Sequence, residues 1–232
     1  MSKGAKDQCY LTLKQRVLSL ELQPGQLLDE TALSSDFGIS RTPLREVVQR
    51  LAGEGYLVLL ENRGAKVASM DFATMRHFFQ AAPMIYAAVA RLAAENARAV
   101  DIDRLTSVQR DYRTAIEFGT AAEMSMANYR FHERVGQIAA SPYLMPALYR
   151  LMIDHTRIGQ TFYQPRDEME RDKIRQSADQ HDEMIEAFAA NEPSRAVDIT
   201  LRHWTLSRDQ IEQFVRPDPL PIEYDEAEQH AI

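Results

Sequence analysis

Six histidines lie in this chain, at positions 77, 132, 155, 181, 203 and 230, and three of them are spaced as metal ligands could be. The stretch "NYRFH" sets Asn128 and His132 four residues apart. On a helix that is one turn, so an amide oxygen and an imidazole share a face. His181 and His203 fall in consecutive helical stretches whose turn centres near Asn191 and Glu192, ten residues after His181 and eleven before His203. In an antiparallel hairpin both rings then stand roughly 15 Å from the turn and can face each other. Three imidazoles and one oxygen donor would hold a divalent cation and leave positions open for another ligand. The competing reading makes each histidine a half-exposed helix residue, because spacing leaves helix rotation open. His155, beside Asp154, is a reserve ligand.

A second chemistry sits in "ISRTPLREVVQRLAGEGYLVLLENRGAKVA". At 100° per residue, Leu44, Val47, Val48 and Leu51 fall on one helix face, with Thr42, Arg45, Glu46 and Gln49 opposite and Arg41 at the N-terminal rim. The first face must pack. The second suits a DNA major groove, where arginine can donate two bonds to guanine and glutamine can do the same with adenine. Short hydroxyls and helix N-terminal amides hold phosphates. Arg63 and Lys66, just beyond, are placed to reach backbone or minor groove. The plainer alternative is a solvated helix face; the order of elements around it weighs against that.

These side chains need elements to position them. "LTLKQRVLSLEL" has helical spacing and ends at Pro24 and Gly25. Asp29 can cap a short helix "ETALSSDF" that stops at Gly38; Ser40 can cap the next, with Pro43 in its first turn. "YLVLL" and "AKVAS" then read as strands joined by "ENRG". Three helices and a hairpin make a winged helix-turn-helix. From Arg76 to about Val215 strand signals vanish and apolar spacings of three and four dominate, predicting a bundle of six or seven helices. The fold class is therefore mainly α: residues 1–70 a winged helix-turn-helix, 71–75 a linker, 76–215 an all-helical domain, and 216–232 a proline-rich acidic tail.

The totals agree. The chain has 232 residues, 45% hydrophobic and 26% charged, enough for two packed domains. A single cysteine, Cys9, excludes an internal disulfide and fits a reducing compartment. No apolar run approaches the roughly 18–20 residues of a membrane helix, so a soluble cytoplasmic protein is expected, without membrane partners. Net charge is -7, yet residues 1–70 hold nine Lys/Arg against eight Asp/Glu. Any affinity for nucleic acid there must come from local placement of charge. The methionines at helical spacing read as core. No Ser–His–Asp order, glycine-rich phosphate loop or HExxH appears, which argues against an enzyme; a helical metal-dependent enzyme is the remote alternative.

The segments "LQPGQLLDE", "FGISRTPLREVVQRLAGEGYL" and "NRGAKV" resemble the DNA-binding domain of GntR-superfamily regulators. The resemblance implies DNA contacts by Arg41, Thr42, Arg45, Arg63 and Gly64, to which the helix face adds Gln49. Thr31 stands where some relatives carry arginine, so no operator sequence carries over. "ARLAAENA", "NYRFHERVGQIAASPYLMPAL" and "QHDEMIEAFAANEPSRAVDITLRH" resemble the FCD ligand-binding domain of the FadR-like branch. Metal-holding members of that branch usually show Asp, His, His, His, which matches Asn128, His132, His181 and His203 here. The Asn128 amide oxygen can still coordinate but brings no charge, so affinity for a hard cation is weaker and the site more electropositive; either an anionic effector completes the shell or the site stays empty until ligand arrives. Zinc or nickel suits three imidazoles, and manganese is possible. A pattern "R..LE" common in relatives is absent, with Ala82 and Tyr86 at those places; Arg130, Arg157 and Tyr163 are candidate effector contacts.

The expected function is a ligand-responsive transcription regulator, not an enzyme. A homodimer would set two wings on a pseudo-palindromic operator. A small carboxylate would relieve repression from a metal-containing pocket, the family's commoner outcome, with an activator as the alternative. A metal-free regulator of the same type is the alternative.

Overall fold

The computed structural model describes residues 3–215 other than residue 62, so the tail 216–232 lies outside the described residues. Helices α1 (Lys3–Leu18), α2 (Glu30–Asp36) and α3 (Arg41–Gly53) precede a hairpin of β1 (Leu57–Leu60) and β2 (Gly64–Val67). Asp29 caps α2 by accepting from the amides of Thr31 and Ala32 at 2.9 and 3.0 Å. Ser40 occupies the N-cap of α3, but its side chain makes no capping bond. Leu44, Val47, Val48 and Leu51 are each at most 2% exposed, packed toward α1, α2 and β1. Cys9 lies in the same core; burial pushes its thiol up to about 11, leaving it an inert small hydrophobe.

The strands pair antiparallel, Leu57 opposite Val67 and Leu60 opposite Gly64. The segment before α2 adds a rung to β2: Leu28 N–H donates to Ala65 O and Val67 N–H to Gln26 O, both at 2.9 Å. The wing is thereby tied to the entry of α2. Gly64 has φ +75, and a Cβ there would sit 3.0 Å from Glu30 Oε1, so only glycine makes this turn without strain.

Six helices follow: α4 (Phe72–Asn96), α5 (Ala99–Phe118), α6 (Ala121–Ala139), α7 (Leu144–Phe162), α8 (Glu168–Ala189) and α9 (Pro193–Val215). Asp71 caps α4, accepting from Thr74 N–H at 2.9 Å. The helix therefore starts inside the expected 71–75 linker, and the connection narrows to the few residues before Asp71. Helix α4 packs on α6, α7 and α9; α8 pairs with α5 and α9. The interior they enclose holds His132, His155, His181 and His203. Among the described residues no helix is long and apolar enough to cross a membrane.

Candidate metal centre and nucleic-acid face

Helix α6 presents Asn128 and His132, α8 presents His181 and α9 presents His203. The α8–α9 turn spans residues 190–192. With near-equal arms, it brings the His181 and His203 rings to 4.7 Å between centroids. His132 lies 5.2 Å from His181 and 5.6 Å from His203. One ligand atom from each of the three falls within 4.8 Å of the others. Asn128 and His132 are 6% exposed and His181 is fully buried.

Among the described residues, three buried atoms here have no hydrogen-bond partner: Asn128 Oδ1, His132 Nε2 and His181 Nε2. Each such atom costs about 1–3 kcal/mol of unrepaid desolvation. Their concentration in one cluster is the physical sign that the residues fit a cation, which would partner all three.

The outer contacts fix which nitrogen is free. Gln109 Nε2 donates to Ala178 O at 2.8 Å, so its Oε1 must accept from His181 Nδ1 at 3.1 Å. The ring is then the Nδ1–H tautomer with a lone pair on Nε2. His203 Nδ1 lies 3.1 Å from Gln180 Oε1. Phe131 stacks on His181 at 3.7 Å and 5°. His155 Nδ1 and the Tyr86 hydroxyl are hydrogen-bonded at 2.7 Å, and the His155 ring lies 5.5 Å from His132. Tyr86 itself sits edge-on to His132 at 5.2 Å. Trp204 packs against Phe78, Phe79, Tyr86 and His155 behind the site.

Gln109 and Gln180 escaped the sequence reading. A signal for Gln109 existed: it continues the apolar stripe between Leu105 and Tyr112, where a buried polar residue needs a partner.

Burial pushes all four imidazoles toward the neutral, ligating form: His132 and His181 well below the usual range, His155 to about 4 and His203 to about 3. Mutual repulsion adds to this at His132, His181 and His203. The unfolded chain binds these protons near pH 6.5 while the folded chain does not. Stability of the metal-free protein should therefore fall as pH drops from about 6.5 toward 4. Urea midpoints at pH 7.5 and 5 check this; equal midpoints would mean the rings already carry protons when folded.

A cavity of about 20 Å³ opens beside the cluster, lined by Asn128, His155, Gly159, Tyr163, Ser177 and His203 among others. That is room for one water. Among the described residues no carboxylate, lysine or arginine lines it. Ser177 Oγ donates to Ile174 O at 2.7 Å, so Tyr112 OH must donate to Ser177 at 2.7 Å and Tyr163 OH to Tyr112 at 2.9 Å. The Tyr163 oxygen is left as an acceptor at the wall.

Of the three candidate effector contacts, Tyr163 alone borders this cavity. Arg130 is exposed on the outer side of α6, in a groove shared with Lys14 of α1 and Asp111 of α5. Arg157 is fully buried but turns toward the connection between domains, donating to Ala68 O at 2.7 Å.

On the winged domain, Arg41, Thr42, Arg45 and Gln49 are exposed along α3, and Arg63 and Gly64 at the wing turn. Arg45 is 68% exposed and stands 4.0 Å from Glu30. Arg50 is different: it stacks on Tyr10 at 3.7 Å and pairs with Glu54 at 3.0 Å, so it serves the contact with α1.

A winged helix-turn-helix with an outward arginine helix, joined to a six-helix domain enclosing a histidine cluster, is the build of a two-domain transcription regulator. Residues 5–67 match the bacterial regulatory proteins of the gntR family and residues 78–206 match the FCD domain. The chain belongs to the gntR family of bacterial regulatory proteins and carries an FCD domain. It is 25% identical to the Nta operon transcriptional regulator of Aminobacter aminovorans over 203 residues, 86% of this chain and 90% of that one. It is 30% identical to the HTH-type transcriptional repressor RspR of Escherichia coli over 138 residues, spanning 60% of either chain. The solved E. coli McbR/YncC structure shares the fold, with TM-score 0.78 over 93% of this chain and all of that one at 18% identity.

Proposed function

We propose that this protein is a transcriptional repressor released from its operator by a small carboxylate bound at a divalent cation. The three partnerless buried atoms at Asn128, His132 and His181 carry the reading. With His203 they make a donor set of three nitrogens and one amide oxygen, suited to zinc or nickel and open to manganese. Such an ion would act as a Lewis acid that fixes a carboxylate. All four donors are neutral, so nothing in the set offsets the ion's charge, which favours an anionic ligand. Tyr163 and Ser177 at the wall would orient it.

The present cavity, about 20 Å³, is too small for a multi-carbon acid. Entry must spread the helices around it, and that spread gives the ligand different affinities for two poses, the requirement for any switch. The DNA surface is Arg41, Thr42, Arg45 and Gln49 with Arg63 and Gly64. Two copies would read a pseudo-palindromic site as a homodimer. RspR, named a repressor, lends the direction of control.

A mobility shift on DNA upstream of the protein's own gene tests this, with zinc-loaded or chelator-treated protein and a panel of small carboxylates. At least one acid should weaken binding by about 5-fold or more, within the usual range of allosteric coupling, and only in the loaded protein. Equal effects with and without metal would overturn the metal-dependent reading.

A further inference from the structure

We propose that Arg157 is the residue that positions the winged domain on the helical domain, making α7 the element through which the histidine pocket reaches the DNA-binding face. The second half of this statement rests on the metal-pocket reading above; the first does not.

Helix α7 has two working sides. Its pocket side holds His155, Gly159 and Tyr163 just past its end, with His155 bonded to Tyr86. Its other side meets the winged domain at three places. Arg157, the largest fully buried side chain, donates from Nη1 to Ala68 O at 2.7 Å and from Nη2 toward Ser69 O at 3.5 Å. Gln160 Nε2 donates to Leu18 O, at the end of α1, at 2.7 Å. Arg150 lies against Gly55 in the turn after α3, where a Cβ would come within 2.6 Å of its Cδ. Asp154 anchors both arginines, pairing with Arg157 and with Arg150 at 3.0 Å.

An apolar side chain at 157 would glue the domains without direction. A buried guanidinium is costly to desolvate, and its planar fork holds specified carbonyls in a specified orientation. Those carbonyls belong to the segment between the wing and Asp71, the N-cap of α4. The fork therefore sets where the wing leaves the helical domain. His155 lies two residues from Arg157, so a displacement of the pocket wall moves the fork with it. Sequence could show the Asp154–Arg157 spacing, but not that it faces the other domain.

The test uses the full chain with Arg157→Lys and, in case that variant folds poorly, Gln160→Leu. Lysine keeps a charge for Asp154 but cannot span two carbonyls. Hydrogen exchange is followed in a peptide covering residues 66–75, with peptides of α5 and α8 as the measure of general stability. Each variant should speed exchange in 66–75 by about tenfold while α5 and α8 keep wild-type protection, as a local rather than global opening requires. Unchanged exchange in 66–75 in both folded variants overturns the positioning role. Zinc is then added, with its binding followed separately by calorimetry. In the wild type, bound zinc should change exchange in 66–75 by about threefold or more; in Arg157→Lys the change should vanish while zinc affinity stays within about threefold. Zinc that binds without moving wild-type exchange, or that moves it equally in the variant, overturns the transmission role. Failure of zinc to bind at all instead defeats the metal reading, and the first comparison alone decides for Arg157.

Discussion

His181→Ala is expected to lower zinc affinity of the full chain by about 100-fold, measured by competition against a chromophoric chelator. The size follows from sharing the roughly 10–16 kcal/mol of a structural zinc site among four ligands, about 3 kcal/mol each, where 1.4 kcal/mol is a factor of ten. His181 is the sharpest choice because its ring is the most constrained. Phe131 stacks on one face at 3.7 Å, Gln109 holds Nδ1 at 3.1 Å, and Nε2 has no partner. Truncation also leaves a void in the core, so a stability loss is expected with or without metal. The affinity ratio is therefore the deciding number, and a change under about threefold would show that no ion is held by this ring.

Asn128→Asp separates charge from geometry at the same site. A carboxylate in place of the amide should raise zinc affinity by about tenfold or more, because ligand charge count tunes cation binding. In the metal-free protein the sign reverses. Position 128 is 6% exposed and its Oδ1 lacks a partner, so a carboxylate there would be buried and uncompensated. A cost of about 1–3 kcal/mol is expected, reduced if a neighbouring imidazole takes a proton. A variant more stable than the wild type without metal would contradict this account of the site.

How far the sequence could be read depended on whether a feature obeys a period. The α3 face was legible because Leu44, Val47, Val48 and Leu51 repeat at helical spacing, which forces Thr42, Arg45 and Gln49 outward. The level match of His181 and His203 was legible because helical rise is constant and their turn is short. The α4 start was written in Asp71 followed by Thr74, but a residue that can cap a helix can equally sit in a linker. Gln109 meets His181 across 72 positions, a pairing set by the mutual rotation of α5 and α8. Arg157 was a candidate effector contact, yet it turns to the winged domain. His155 and Gly159 line the pocket two positions to either side of Arg157, and two positions along a helix turn a side chain by about 200°; nothing local says which face meets the other domain. The size of the cavity depends on packing in three dimensions, which no pattern in one dimension encodes.

Arg45→Ala should weaken binding to the preferred operator by about 1–3 kcal/mol, roughly 5- to 150-fold, and should do so less on sites altered at the base it reads. The fold should hardly notice. Arg45 is 68% exposed, and its ion pair with Glu30 is 4.0 Å long, worth little at a surface. Any loss is thus a loss of contact and not of structure, and thermal melting of the variant should match the wild type. Arg63→Ala makes the contrasting case. Exposed at the wing turn, it should act on phosphate or groove potential, weakening all sequences alike and lowering the salt slope by about one. The two surfaces are geometrically joined, since Glu30 lies 4.0 Å from Arg45 and its Oε1 stands 3.0 Å from where a Cβ on Gly64 would be. Gly64→Ala should therefore disturb both, pushing Glu30 toward the recognition helix while straining the wing turn. Binding by Arg45→Ala that equals wild type on the preferred site and discriminates altered sites equally well would remove this helix face as the reader of sequence.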